Sequence, residues 1–267
     1  MKPFFSIITA TYNSSSFIEQ CIRSLTVQSF QNFEHIIIDG NSSDQTLRII
    51  ESIQTENQRY GKQLKLISEE DSGVYDAFNK GLRLASGEYI FFLGADDVFY
   101  SEKTLNAVYG SLTRRQDVAL GYGDVMIFDR DLNTLKRYWR SGAYIENSFG
   151  RGWMPPFSGA FWANGTLHKL SLEFDVSYRV AGDLKFIGQF LQNIDAGNAL
   201  RFEAIVIRMR SGGLSSDGVG SFWIKIVEDW RAYRETGLGF FKSLRAVVMK
   251  RALKLNQLFF DKNLISS

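Results

Sequence analysis

Asp96 and Asp97 are adjacent carboxylates that end an apolar run, Tyr89-Ile90-Phe91-Phe92-Leu93-Gly94-Ala95. Such a pair, just past a buried strand, can be the protein's share of a Mg²⁺ or Mn²⁺ site completed by substrate phosphates. The same pair can be a solvated turn, because Asp is a common turn residue. Three further polar clusters follow apolar runs: Thr9-Ala10-Thr11-Tyr12-Asn13-Ser14, Asp39-Gly40-Asn41-Ser42-Ser43-Asp44 and Glu69-Glu70-Asp71-Ser72-Gly73. Each alone reads as turn and cap chemistry, with Ser43 capping a helix and Gly40 and Gly73 easing turns. Four at equivalent places describe one edge lined with hydroxyls and carboxylates.

Positioning such an edge takes parallel strands. Apolar runs predict strands over 4–10, 33–39, 64–68 and 89–93. Helical periodicity predicts helices over 15–28, 43–58 and 74–85, the second with Leu47, Ile50 and Ile53 inward. Alternation of the two implies βαβ units, right-handed crossovers and a mainly parallel central sheet. In an α/β fold of this kind, ligands bind beyond the carboxyl ends of the strands. Further on, 118–128 and 134–140 read as strands, and 184–192, 221–235 and 240–260 as helices.

The 267 residues, 45% hydrophobic and 14% aromatic, can bury a large core. A net charge of +2 argues against a nucleic-acid partner for the molecule as a whole. One cysteine, Cys21, excludes internal disulfides and lies on a helical stripe with Phe17, Ile18, Ile22 and Leu25, as a core thiol would. Two histidines, His35 and His168, exclude a Cys/His metal cluster. No signal peptide and no spanning run of about 18 apolar residues is present, so the chain is expected to be cytosolic, at most peripheral to a membrane. The first turn lacks Gly-x-Gly-x-x-Gly, the chain has no Gly-Lys-Ser/Thr of a P-loop, and the glycine-rich basic loop of sugar nucleotidyltransferases is missing.

Four segments in order, Ser6 to Asn13, Ile37 to Thr46, Asp71 to Gly81, and Ala85 to Glu88 followed by Leu93-Gly94-Ala95-Asp96-Asp97, together resemble family 2 glycosyltransferases of the GT-A (nucleotide-diphospho-sugar transferase) fold. The resemblance covers about the first 210 residues, and its nearest branch builds bacterial surface polysaccharides such as O-antigen. It implies a Rossmann-like sheet flanked by helices over 1–212 and a C-terminal helical extension over 213–267. Thr11, Tyr12 and Asp39 fall where the family holds the nucleotide, the tyrosine flanking the base and the aspartate accepting its imide N–H. Asp71 and Asn79 fall where it contacts the rest of the donor, although Asn79 and Lys80 equally suit an exposed helix face. Asp96 and Asp97 match the metal motif, whose usual form is Asp-x-Asp; Gly94 stands where its first carboxylate would be.

Residues 174–184 resemble the stretch that carries the family's catalytic carboxylate, which makes Asp183 the general-base candidate and, alternatively, a helix N-cap. Pro155 to Trp162 resembles the acceptor side, with Phe157-Ser158 where many relatives carry His-Gln; Trp153, Phe157 and Trp162 could form a sugar platform or be core. Residues 211–216 resemble a closing loop. Over 240–260 five bases and no acid accompany an apolar face of Phe240, Phe241, Leu244, Val247, Val248, Leu255, Leu258 and Phe259, which suits an anionic membrane surface or packing on the domain or a second subunit. The implied enzyme is an inverting, Mn²⁺- or Mg²⁺-dependent glycosyltransferase. Its donor is a nucleotide-sugar, a UDP-sugar foremost, and its acceptor a lipid-linked oligosaccharide. A nucleotidyltransferase and a non-catalytic nucleotide-sugar binder are the alternatives.

Overall fold

The computed structural model describes residues 2–212 and 218–260. The first half alternates as the periodicity demands: β1 (Phe5–Thr11), α1 (Ile18–Thr26), β2 (Phe33–Asp39), α2 (Thr46–Glu56), α3 (Gln58–Gly61), β3 (Leu64–Ser68), α4 (Val74–Leu84) and β4 (Tyr89–Phe92). β1, β2 and β4 are buried on both faces because helices cover both sides. Phe5, Ile7, Ile37 and Phe91 point into a core with Cys21, Ile22 and Ile50, whereas Ile8, Ile36, Ile38, Ile90 and Phe92 point into a second core with Phe78 and Leu82. Ser43 does not cap α2: Asp44 accepts the Thr46 N–H at 2.9 Å, and the helix starts there.

After β4 the chain forms β5 (Val98–Phe99), α5 (Thr104–Thr113), β6 (Leu120–Phe128), β7 (Leu135–Trp139), β8 (Ala160–Ala163), α6 (Asn164–Leu170), α7 (Gly182–Leu191), β9 (Ala199–Arg210), α8 (Gly218–Glu235) and α9 (Phe240–Phe260). The sheet runs β3-β2-β1-β4-β8-β6-β9-β5, with β7 beside β6. Its first four strands are parallel; β8 is antiparallel to both neighbours, β6 and β9 are parallel, and β5 and β7 are antiparallel edges. Only five residues separate β5 from the end of the parallel β4 strand at Phe92, yet β5 lies at the far end of the strand order. The sheet must therefore curl, which brings the end of β9 back to the loop after β4.

Of the aromatic residues expected on the acceptor side, Trp162 is core, and Phe157 and Trp153 are half-buried against it. Trp162 is 0% exposed, Phe157 stacks on Phe92 at 5.2 Å and 17°, and Trp153 stacks on Tyr144 and donates its indole N–H to the Ser141 carbonyl at 2.8 Å. α9 also departs from the expected single apolar face. Ala246 and Val247 are buried against the core that also holds Phe149 and Tyr233, whereas Phe241 is 82% and Val248 59% exposed. The side chains of Leu255, Leu258 and Phe259, and residues 213–216 of the expected closing loop, lie outside the described residues.

Candidate active site

Parallel pairing sets Thr11 opposite Asp39 and Asp39 opposite Ser68, so three polar residues stand abreast at one edge. Asp39 is fully buried; its carboxylate accepts the Ser42 N–H at 2.9 Å, the Ser42 hydroxyl at 2.5 Å and the Ser68 hydroxyl at 2.7 Å. A carboxylate has about four acceptor sites, which leaves one for a further donor. The first two loops are laced together. Asn13, at φ 48°, accepts the Ser43 N–H at 2.9 Å, and Asp44 accepts the Ser15 N–H at 3.1 Å. Hydrogen bonds from Thr46 and then Ser15 outweigh its desolvation and hold Asp44 well below the usual carboxylate range. Beside this frame the Thr11 hydroxyl is buried with no partner among the described residues, and the Tyr12 ring is 63% exposed.

Asp71 closes over the same edge. One of its oxygens accepts the Gly73 N–H at 2.8 Å; the other lies 2.7 Å from where a Cβ on residue 40 would stand, so a side chain there would have to displace the Asp71 carboxylate. Asn79 serves the fold instead, because both ends of its buried amide are paired at 2.8 Å with the backbone of Phe174. It anchors the segment leading to Asp183.

Asp96 and Asp97 lie past β4 where the curled sheet returns. Asp97 is 3% exposed and accepts the Arg210 N–H at 3.1 Å. The Arg210 guanidinium ties the loops together through the carbonyls of Asp96 and Arg130 and the side chain of Gln20. A Cβ at Gly94 would lie 2.9 Å from Asp97 Oδ2 and 3.0 Å from Asp96 Oδ1, so two hard oxygens converge on one point. Burial, then the charge of Asp96, pushes Asp97 well above the usual carboxylate range, and burial raises Asp96 as well. Two crowded carboxylates whose ionised forms are disfavoured fit a divalent cation, which relieves both costs. Among the described residues no group of three or more His, Cys, Asp or Glu could hold an ion, so the donor's phosphates would complete the shell.

A buried polar chain reaches this turn from behind. The Cys21 thiol donates to the Gly94 carbonyl at 3.4 Å, the acceptor that also closes the turn with the Asp97 N–H at 3.0 Å. Behind it, Thr9 hydrogen-bonds His35 Nε2 at 2.9 Å, while His35 Nδ1 meets the Tyr60 hydroxyl. One arrangement satisfies the imidazole: Tyr60 O–H to Nδ1 and Nε2–H to Thr9. The chain is neutral throughout, since burial lowers His35 to about 3 and raises Cys21 and Tyr60.

Asp183 is the second residue of α7 and accepts the Leu184 N–H at 2.8 Å. It is not the N-cap. Glu228 of α8 accepts the N–H groups of Arg179, Val180 and Ala181 at 2.8–2.9 Å, and the Tyr75 hydroxyl meets the Gly182 N–H at 3.0 Å. With capping supplied by others, one Asp183 oxygen has no hydrogen-bond partner among the described residues. Burial raises its pKa, and Lys250 and Lys225 pull it back. Sequence reasoning missed Arg210, Tyr75, Glu228 and the His35 chain, each of which acts through a contact distant in sequence. Two depressions, of about 420 and 530 Å³, open beside Glu88 away from these residues.

The family described as "Glycosyl transferase family 2" matches residues 6–164. A PGL/p-HBAD biosynthesis glycosyltransferase of Mycobacterium tuberculosis is 39% identical over 125 residues, 47% of this chain and 48% of that protein. A teichuronic acid biosynthesis glycosyltransferase assigned to Bacillus subtilis, TuaG, is 36% identical over 102 residues, 38% of this chain and 39% of that one. The matched region thus spans about half or less of these relatives' length. Among solved structures, Staphylococcus aureus TarS with UDP-GlcNAc superposes over 99% of this chain and 76% of that one, with TM-score 0.70 and 18% identity. The mannosyltransferase PcManGT of Pyrobaculum calidifontis, with GDP-Man and Mn²⁺, covers 96% of this chain and 71% of that one, with TM-score 0.63 and 18% identity. With its parallel first half, curled sheet and paired carboxylates past β4, the chain has the GT-A fold and belongs to glycosyl transferase family 2.

Proposed function

We propose that the protein transfers a sugar, with inversion, from a nucleoside-diphosphate donor, foremost a UDP-sugar, to a lipid-linked saccharide of a surface polysaccharide such as O-antigen. The observation that carries this is the convergence of Thr11, Tyr12, Asp39, Asp71, Asp96 and Asp97 on one sheet edge in a family 2 glycosyltransferase. Tyr12 flanks the base, the unpaired Thr11 hydroxyl finds its partner there, and Asp39 offers its remaining acceptor site to a base N–H. Asp71, held over Gly40, faces the sugar side. Asp96 and Asp97 would hold a divalent cation, Mn²⁺ or Mg²⁺, which when bound supplies Lewis-acid stabilisation of the departing phosphate oxygens.

Asp183 takes the proton of the acceptor hydroxyl as it attacks the anomeric carbon from the face opposite the diphosphate. Its raised pKa suits that role, because a stronger base accepts the proton more readily once ionised. The 1–212 unit carries the donor site, and α8 and α9 complete the acceptor side through Glu228. Among the described residues no helix is long and apolar enough to cross a membrane. The exposed face of α9, with Phe241, Leu244 and Val248 beside Lys242 and Arg245, gives a lipid-linked acceptor a surface to approach along, or a second copy one to pack on. The test is a panel of UDP- and GDP-sugars with Mn²⁺, read by ligand-raised melting temperature and by sugar release. One nucleotide-sugar should stabilise and turn over, and Asp96→Asn should abolish the Mn²⁺ requirement or the binding. A panel with neither stabilisation nor turnover sinks the reading.

A further inference from the structure

α8 and α9 form a hairpin across residues 236–239, and each buries one stripe of residues. On α8 the stripe is Asp229, Ala232 and Tyr233; on α9 it is Ser243, Ala246 and Val247. The outer face of a surface helix is ordinarily polar. Here it is apolar. Phe222, Trp223 and Val227 are exposed on α8, and Phe240, Phe241, Leu244 and Val248 on α9, with Trp223 62% and Phe241 82% exposed. Among the described residues every exposed Phe and Trp lies on this hairpin, so the exposure is one patch and not the usual scatter. The patch is continuous. Trp223, Val227 and Trp230 succeed one another at helical spacing along one side of α8. Trp230 meets Phe240 edge-on at 5.6 Å, Phe240 meets Phe241 at 5.4 Å, and Leu244 and Val248 carry the strip along α9. Phe222 joins it beside Trp223 at 5.8 Å.

Cations border the strip and acids do not. Arg234 lies over the Trp230 ring at 5.5 Å, Arg251 over the Phe222 ring at 5.9 Å, and Lys242 and Arg245 are exposed next to Phe241 and Leu244. α9 contains no acid, and each acid of α8 is turned elsewhere: Glu228 to the N–H groups before α7, Asp229 to Lys250 and Arg251 inside the hairpin, and Glu235 to Lys185 and Arg231. Residues 218–260 hold eight Lys and Arg against three Asp and Glu, whereas the whole chain is only +2, so the remainder is net acidic. A twofold dimer through this face would set its cations against their own copies. An anionic bilayer matches both halves of the pattern, because the rings can sink to the headgroup boundary while the long basic side chains reach lipid phosphates.

We propose that the outer face of the α8–α9 hairpin docks on an anionic membrane surface, with Trp223, Phe240 and Phe241 in the headgroup boundary and Arg234, Lys242 and Arg245 on lipid phosphates. Glu228 stands roughly 160° round α8 from Trp230, at 100° per residue, and holds the segment that leads into Asp183. Docking therefore sets the start of α7 on the far side of α8 from the lipid, about one helix diameter or 10 Å away. Its use rests on the transferase reading above and deepens it: a lipid-linked acceptor would meet Asp183 without leaving the bilayer.

The experiment sediments the full chain with vesicles in the absence of donor and Mn²⁺. Vesicles of phosphatidylcholine mixed with phosphatidylglycerol should carry the chain down, phosphatidylcholine alone should not, and salt should weaken the binding because exposed charges are screened. Phe241→Ser with Val248→Ser, and separately Lys242→Glu with Arg245→Glu, should each weaken binding about tenfold or more. Both variants should melt close to the wild type, because all four side chains are exposed. No binding to the mixed vesicles, equal binding to phosphatidylcholine alone, or undiminished binding in both variants would each overturn the docking. So would a dimer in solution that Phe241→Ser with Val248→Ser dissociates while vesicles go unbound, since the face would then belong to a second copy. Mn²⁺-dependent nucleotide-sugar hydrolysis by the wild-type chain without vesicles separates the two readings: hydrolysis with no vesicle binding keeps the transferase and loses the docking, and vesicle binding with no hydrolysis does the reverse.

Discussion

Gly94→Ala tests whether Asp96 and Asp97 act as one ion site. The added methyl would stand 2.9 Å from Asp97 Oδ2 and 3.0 Å from Asp96 Oδ1. Ordinary carbon–oxygen contact requires each oxygen to retreat by roughly 0.4 Å or more. Asp97 cannot simply swing away, because its other oxygen accepts the Arg210 N–H at 3.1 Å. Metal–ligand distances tolerate only about 0.2 Å, so the pair should lose about tenfold or more in Mn²⁺ affinity, near 1.4 kcal/mol. The backbone at residue 94 is not left-handed, so the fold should persist. The assay is Mn²⁺ titration in the presence of UDP, with melting temperature beside it. Gly110→Ala in α5, where a Cβ meets nothing within 4 Å, is the control and should leave Mn²⁺ binding unchanged. It should gain stability of about 0.5–1 kcal/mol. A folded Gly94→Ala chain with a wild-type Mn²⁺ midpoint would refute the shared site.

Asp183→Asn should lower kcat by about 10²–10⁴-fold with the melting temperature nearly unmoved, since Glu228 and Tyr75 already secure the start of α7; wild-type kcat would remove Asp183 from the mechanism. Because burial raises the Asp183 pKa and the base must be ionised, the rate should fall with acid at a pH above the ordinary carboxylate range. Lys225→Gln, which removes a cation that lowers that pKa, should move the limb to higher pH, and an unmoved limb contradicts the placement. For His35, lowered by burial to about 3, the unfolded chain takes up a proton below its ordinary 6.5 that the folded chain refuses. Stability from this group is therefore complete above that value and declines as pH falls, so the urea-measured gap between wild type and His35→Gln should narrow by about 2 kcal/mol from pH 7 to pH 5. Ending the chain at Gly239 leaves buried Asp229 without Lys250 and Arg251 and should cost about 3–5 kcal/mol; a truncated chain that melts like the wild type would show that α9 is dispensable.

The parallel half was legible because burial on both faces leaves little choice of residue: Phe5 to Ile8, Ile36 to Ile38 and Tyr89 to Phe92 admit hardly a polar side chain outside the strand ends. β9 escaped notice for the converse reason. Arg201, Glu203, Arg208 and Arg210 alternate with apolar residues along it, as suits a strand covered unevenly, and nothing local marks its end as part of a site. β5 is two residues long and exists only because β9 returns to it. The curl that makes this happen is a property of strand order, which no single segment encodes. The core role of Trp162 was hidden similarly, since an aromatic ring looks the same in a platform and in a core.

The carboxylate pair shows where local reading stops and packing takes over. From sequence, Asp96-Asp97 alone reads as a wet turn and becomes an ion site only through the family resemblance, in which Gly94 looks like a lost ligand. In the folded chain the turn is dry on one side, Arg210 and Cys21 fix its backbone, and residue 94 occupies the point on which the two oxygens converge. A third carboxylate there would add a charge to a pair already pushed upward by burial and mutual repulsion, at the distance where its own Cβ collides with both partners. In this backbone, glycine at 94 leaves open the point on which the two carboxylate oxygens converge, and a side chain there would meet both, in a turn that β9 and α1 clasp closely.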